Sequence, residues 1–298
     1  RPSRAVEVLG VAWTALALGA LTDRLVRWPV APAIPGLLGV AVYAVDLAFG
    51  SPLIVTSLLG PNPLFGSRFY GIGNELESTL PVLLLCGVAA AATGLGRGER
   101  SRALAVAFGL TGLVLGAVIG SGRLGADVGG VITVGAGTAA AVLLALPGGI
   151  TRGRLIVALL VPVAALAALA ALDLLTGGDG HFTRSVLRAD DREALEDVVA
   201  RRFELAFNNL VGGIMPLLVV LALGAIAWGV ARRDRLLAGV PGAPAWGAAL
   251  GGSAAAGVIG ALSNDSGPLL LVFATFVAAW AAGYLRAGAR PEQRRDLV

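Results

Sequence analysis

Four short polar runs between long apolar segments, together with two carboxylates inside apolar segments, carry the residues able to do chemistry. The first, Gly66 to Glu77, reads G-S-R-F-Y-G-I-G-N-E-L-E; the second is Gly120 to Gly130, G-S-G-R-L-G-A-D-V-G-G. Asp179 to Ser185, D-G-H-F-T-R-S, and Ser263 to Gly267, S-N-D-S-G, complete the set. Polar and ionisable groups at membrane depth are costly and by default mark functional positions. At Gly71 to Glu75, glycines precede Asn74 and Glu75 where a helix should begin, so backbone N–H groups and a positive dipole end lie beside a carboxylate. Such a point suits an anion held by backbone or a cation held by Asn74 and Glu75; an Asn cap with glycines for close packing is the plainer alternative. Arg123 stands four residues before Asp127 at a second helix start. That pair fits a site or a structural salt bridge. Asn264 and Asp265 break two apolar runs, where a tight turn alone would also explain them.

Sorted by chemistry, Glu75, Asp127 and Asp265 are candidate acid-base or metal-ligand carboxylates, with His181 as a base. His181 is the only histidine in the chain, and a lone loop histidine is most often incidental. Arg68, Arg123 and Arg184 carry guanidinium forks suited to phosphate or carboxylate. Together with Tyr70, Asn74 and Asn264 they form the candidate substrate-binding set. Asp46 and Asp173 sit within apolar runs, where an unpaired carboxylate favours its neutral form or needs a partner. Proton coupling and helix–helix ties both fit, and Asp46 is the better candidate because Asp173 lies near the outer end of its run. The sequence names neither a metal nor a cofactor.

Apolar segments must hold these residues in place. Of the residues, 56% are hydrophobic and 14% charged, and mean hydropathy is +0.82. Runs of membrane-spanning length recur from end to end, so the chain reads as an all-α polytopic membrane protein. Spans are expected at about 5–22, 34–50, 76–95, 103–121, 128–147, 154–175, 206–230, 245–262 and 267–286, about nine helices near the ~20 residues a bilayer needs. Every basic residue is an arginine, and the arginines follow loop topology. Arg24 and Arg27, Arg97 to Arg102, Arg152 and Arg154, Arg232 to Arg235, and the tail from Arg286 fall on one side, which the positive-inside rule makes cytoplasmic. Trp28, Trp228, Trp246, Trp280 and Tyr284 are expected near that boundary as an aromatic belt. The N-terminus is then outside, the C-terminus is cytoplasmic, and all four polar runs face outward.

An internal similarity divides the chain further. A-V-D-L-A-F-G around Asp46 resembles A-L-D-L-L-T-G around Asp173, L-P-V-L-L-L-C-G at Pro81 resembles M-P-L-L-V-V-L-A at Pro216, and V-I-G followed by Asp127 resembles V-I-G followed by Asp265. The shared order predicts two parallel four-helix repeats about an axis along the membrane normal. Residues 1–32 form a leading helix and cytoplasmic loop, 33–150 repeat 1 and 151–298 repeat 2. Repeat 1 carries a re-entrant-like exterior loop at 51–73, because Pro52, Pro61 and Pro63 forbid a continuous helix. Repeat 2 carries an exterior amphipathic stretch at 176–204, readable as a lid or as a solvated connector.

Gly66 to Glu77, with Asp46 upstream and Asn264-Asp265-Ser266-Gly267 near the end, resembles an uncharacterised family of bacterial multipass proteins bearing Tyr-Gly-Ile-Gly-Asn-Glu and Asn-Asp-Ser-Gly signatures. The resemblance implies an alkaline-phosphatase-like or sulfatase-like extracytoplasmic domain ahead of the membrane module. A chain beginning at Arg1 fits such an arrangement. The family brings no residue roles with it.

Nucleophile-elbow, Walker and His-rich metal motifs are absent from the sequence. Scattered arginines and a lack of lysine give nucleic-acid binding no support. Cys86 is the only cysteine, which excludes an intrachain disulfide. Three functions remain: a transporter or flippase for an anionic, lipid-linked (polyprenyl-phosphate-like) envelope molecule in the bacterial inner membrane; an outer-leaflet enzyme acting on a lipid-linked phosphate or glycan; and a membrane scaffold for an extracytoplasmic domain.

Overall fold

The computed structural model describes residues 4–57, 72–121, 124–125, 127–175, 204–264 and 266–295, and these are helical with no strand among them. In chain order the helices are α1 (Arg4–Leu25), a π-helical turn (Ile34–Leu38), α2 (Gly39–Ala48), a 3-10 turn (Ile54–Thr56), α3 (Asn74–Gly94), α4 (Arg102–Gly120), α5 (Val128–Ala145) and α6 (Arg152–Leu175). They continue as α7 (Glu204–Val211), α8 (Met215–Ala231), α9 (Arg233–Leu236), α10 (Ala243–Ser263) and α11 (Pro268–Arg295). Among the described residues, six helices are long and apolar enough to cross a membrane, or up to seven if the bent pair α7–α8 counts as one span. The chain is therefore an all-helical protein with the marks of a multipass membrane protein.

Three of the nine expected spans are not among the six: that at 154–175 is the 24-residue helix α6, which the six do not include, and two others take another form. The run at 34–50 becomes the π-helical turn plus α2, Ile34–Ala48, which falls in the class of shorter apolar helices. At 1.5 Å per residue it reaches roughly 22 Å, short of the ~30 Å hydrocarbon core. Pro35 sits at its start, and beyond its end Gly50 and Ser51 adopt left-handed backbone at φ 88° and 65°. The run at 206–230 is broken into α7 and α8, which meet at 91°. Gly212 and Gly213 lie at the bend, Gly213 with φ 53°, and Pro216 occupies the first turn of α8. Pro81, its proposed repeat counterpart, lies inside an unbroken α3 instead. The paired segments thus differ locally, because a proline is tolerated at the start of a helix and must be accommodated by neighbours inside one.

Helix α3 lies at the centre, with 72% of its span buried. It packs on α10, α11, α5 and the π-helical turn, while α5 packs on α10, α4 and α6. Lipid tails provide no hydrophobic drive between helices, so small residues that let backbones approach closely dominate such seams. A Cβ on Gly252 of α10 would lie 2.6 Å from the Gly137 carbonyl of α5, and one on Gly36 would lie 2.7 Å from Gly87 Cα of α3. On the outside, α1 is unburied along its span.

The helix ends sort into two groups. At one end, the N-termini of α3 and α5 meet the α10–α11 turn. At the other, the α3–α4 link meets the start of α10 through the Ala245 N–H donating to the Gly98 carbonyl (3.0 Å), and Arg286 donates to the Ala238 carbonyl (3.3 Å). Arg97, Arg100, Arg232, Arg233 and Arg235 belong to the links of this second end. Trp228 and Trp280 are exposed, as belt residues would be, but Trp246 is fully buried near the start of α10. That tryptophan is a core residue, a correction to the aromatic-belt expectation. It begins a helix that α3, α5 and α11 surround.

Candidate functional site

Three of the four polar runs meet at the first end, and their centre is Glu77. Asn74 is the first residue of α3 and Glu77 lies three residues on, so both project from one helix face. Glu77 is fully buried. Its Oε1 accepts a hydrogen bond from the Thr133 hydroxyl of α5 (2.9 Å), and its Oε2 accepts one from the Asn264 side-chain amide (2.6 Å). Asn264 terminates α10 in extended backbone, and its Oδ1 accepts from the Ser266 N–H (3.0 Å). The Asn74 amide donates to the Ser266 hydroxyl. Thus α3, α5 and the α10–α11 turn are joined by side chains rather than by apolar packing alone.

Asp127 sits beside this centre. It is the N-cap of α5, with Oδ1 accepting from the Gly130 N–H (3.1 Å), and it is buried. Its own N–H donates to the Ile119 carbonyl (3.0 Å), closing the α4–α5 link. Gly129 leaves room for the whole arrangement. A Cβ there would lie 2.7 Å from Asn264 Nδ2, 3.4 Å from Glu77 Oε1 and 3.5 Å from Asp127 Oδ1. Two carboxylates and an amide therefore crowd one glycine. Burying a carboxylate is expensive unless hydrogen bonds satisfy it, and here the donors come from two other elements.

Of the sequence candidates, Asn74, Asp127 and Asn264 come together. Glu75 faces away from this centre and is half-buried; its backbone carbonyl accepts from the Ser78 (2.9 Å) and Thr79 (2.6 Å) hydroxyls. Asp46 lies apart. Its buried carboxylate accepts from the backbone N–H groups of Leu53 (3.0 Å) and Ile54 (2.9 Å), holding the turn that follows α2. Arg68, Tyr70, Arg123, His181, Arg184 and Asp265 lie outside the described residues, as do residues 58–71 of the segment expected to be re-entrant, nearly all of the 176–204 stretch, and the Asp173 side chain. Among the described residues, no three of His, Cys, Asp and Glu assemble into a metal-ligand set.

Sequence reasoning passed over Glu77, Thr133 and Ser266. The signal for Glu77 was its i, i+3 spacing from Asn74, which puts it on the same face, whereas Glu75 is adjacent in sequence and turned away. Pro81 was a second signal, since it cannot supply the backbone N–H that an α-helix sends to the carbonyl of Glu77. Thr133 carried none beyond being a hydroxyl in an apolar helix. No protein-family model matches the chain, and no curated protein or solved structure matches it either.

Proposed function

We propose that the chain is a transporter or flippase of the bacterial cytoplasmic membrane, handling an anionic, lipid-linked envelope molecule through the polar centre around Glu77. The observation that carries this reading is a fully buried carboxylate at a helix start, held by side chains of two other elements. Intramembrane carboxylates of this kind mark ion and substrate pathways. The 91° break between α7 and α8 supports it, because discontinuous helices are the usual material of transport sites. Arginines gathered at the opposite end favour that end as cytoplasmic, which turns the Glu77 end outward. Arg123, in the α4–α5 link, and Arg68, preceding α3, are the cations we assign to the anionic substrate.

Glu77 takes over in this scheme the coupling role first considered for Asp46. The Asp46 carboxylate caps a turn, while Glu77 lies where α3, α5 and the α10–α11 turn meet. The test is flipping of a fluorescent polyprenyl-phosphate analogue in proteoliposomes, with native folding verified by tryptophan fluorescence. We expect Glu77→Gln to abolish movement and Glu77→Asp to retain part of it. Undiminished flipping in Glu77→Gln would refute the assignment.

A second reading, an outer-leaflet enzyme acting on a lipid-linked phosphate or glycan, has one observation in its favour: Glu77 and Asp127 crowd the same glycine, as an acid-base pair would. It requires substrate to displace Thr133, Asn264 and the Gly130 N–H from those oxygens. Turnover of a lipid-linked phosphate by the purified protein, lost in Asp127→Asn, would select this reading over transport.

A further inference from the structure

At the arginine-rich end, far from Glu77, an apolar groove of about 570 Å³ runs between α8, α10 and α11. Gly229 and Ala225 of α8, Gly251 and Ala254 of α10, and Ala279 and Gly283 of α11 line it, so small side chains on three helices leave the space. Its size falls within the ~300–1,000 Å³ range of pockets that hold drug-sized ligands. Arg233 and Arg286 lie on its rim, and Trp228 beside them is 59% exposed, as an aromatic at headgroup depth would be. A smaller recess of about 240 Å³ adjoins the groove, sharing Leu144, Arg233, Leu237 and Gly247 with it and adding Arg100 and Asp234.

Length identifies the occupant. From Arg286 to Thr275, the groove follows α11 for roughly 16 Å at 1.5 Å per residue. That is about half of the ~30 Å hydrocarbon core, the depth of one leaflet. A packing helix from a partner would cross the whole core and would not want guanidinium groups at one end of its groove. We propose that the groove is a binding site for one phospholipid with an anionic headgroup, its acyl chain along α8, α10 and α11 and its phosphate at Arg233 and Arg286, with Arg100 in the adjoining recess. Arg233 is shared with Asp234 at 3.6 Å, and the Arg286 bond to the Ala238 carbonyl engages one of the five donors a guanidinium carries. Both arginines can therefore turn further donors toward a phosphate. This site is independent of the Glu77 centre and rests only on the protein residing in a bilayer.

Native mass spectrometry of the detergent-purified full chain, titrated separately with phosphatidylglycerol, phosphatidylcholine and inorganic phosphate, tests it. We expect phosphatidylglycerol to be retained in preference to phosphatidylcholine, and inorganic phosphate to compete poorly, since it fills only the rim. Replacing Arg233 or Arg286 by alanine should weaken phosphatidylglycerol by about fivefold each while leaving phosphatidylcholine unchanged. Gly283→Leu adds a branched side chain at a groove-lining position where a Cβ meets nothing within 4 Å; Gly229→Leu does the same from α8. Either should reduce retention of both lipids. Equal affinity of the two lipids, or full retention in both leucine variants, would overturn the proposal. So would complete competition by inorganic phosphate, which would leave an anion site without an acyl chain, or a stable dimer that the leucine variants dissociate, which would assign the groove to a second copy.

Discussion

Cutting the bond between Glu77 and Asn264 should destabilise the bundle far more than an ordinary interhelical hydrogen bond would. Asn264→Ala removes an amide donor to a fully buried carboxylate (2.6 Å) and the bond its Oδ1 accepts from the Ser266 N–H (3.0 Å). Hydrogen bonds to charged groups contribute about 1.5–3 kcal/mol and neutral ones about 0.5–1.5 kcal/mol, so the single substitution should cost about 2–4.5 kcal/mol. Glu77→Leu removes the carboxylate, and in that background Asn264→Ala forfeits only the turn bond. The coupling between the two positions should then be about 1.5–3 kcal/mol. Neutral interhelical bonds in membranes average only ~0.6 kcal/mol by the same cycle, so the size of the coupling distinguishes a charged centre from a neutral tie. The assay is titration with denaturing detergent in mixed micelles, followed by tryptophan fluorescence and helical circular dichroism for wild type, both single variants and the double. A coupling below about 0.5 kcal/mol would refute the argument that Asn264 stabilises a buried carboxylate.

Other substitutions probe the frame around that centre. A Cβ on Gly112 would overlap Thr138 across the α4–α5 seam, coming within 2.7 Å of its Cβ; Gly112→Ala should lose about 1–3 kcal/mol in the same unfolding assay, with Thr138→Ala restoring only part of it, because alanine keeps that Cβ, and Thr138→Gly removing the overlap. Asp46→Asn turns one of two acceptors toward the Leu53 and Ile54 N–H groups into a donor, which should cost about 1–3 kcal/mol and raise amide exchange at those two residues; unchanged exchange would show that the carboxylate does not hold the turn. In a Cys86→Ala background, Glu99→Cys and Arg235→Cys should react with an impermeant maleimide only after cells are permeabilised. Labelling of intact cells would reverse the orientation.

The membrane-spanning character of the chain was legible in its sequence because bilayer thickness imposes a length on every apolar run. The helix start at Asp127 was legible locally, and its carboxylate accepts from the N–H three residues on (3.1 Å), whereas the Asn cap weighed for Asn74 does not form: Asn74 is the first residue of α3 and Gly73 is its cap. Counting crossings led to the expectation that the polar runs share a side, but whether they meet was left open by the sequence; the hydrogen bonds among Asn74, Glu77, Thr133, Asn264 and Ser266 are a matter of packing. What helix counting could not do was measure a helix. The run at 34–50 is apolar but ends too soon, and the run at 206–230 is apolar throughout yet bends by 91° at Gly212 and Gly213, whose choice of backbone depends on neighbours the sequence does not reveal.

The site divides in the same way. Sequence alone determined which residue types were out of place in a bilayer, since an amide or carboxylate in an apolar run stands out without any partner being known. Only the tertiary structure decided which carboxylate is central. Glu75 and Glu77 differ in sequence by two positions and in direction by about half a helical turn, and Thr133 and Asn264, far along the chain, are the donors that pick Glu77. Hydrogen bonds between helices are formed by side chains brought together from distant positions, so their pairing is a property of the packed bundle rather than of any one segment.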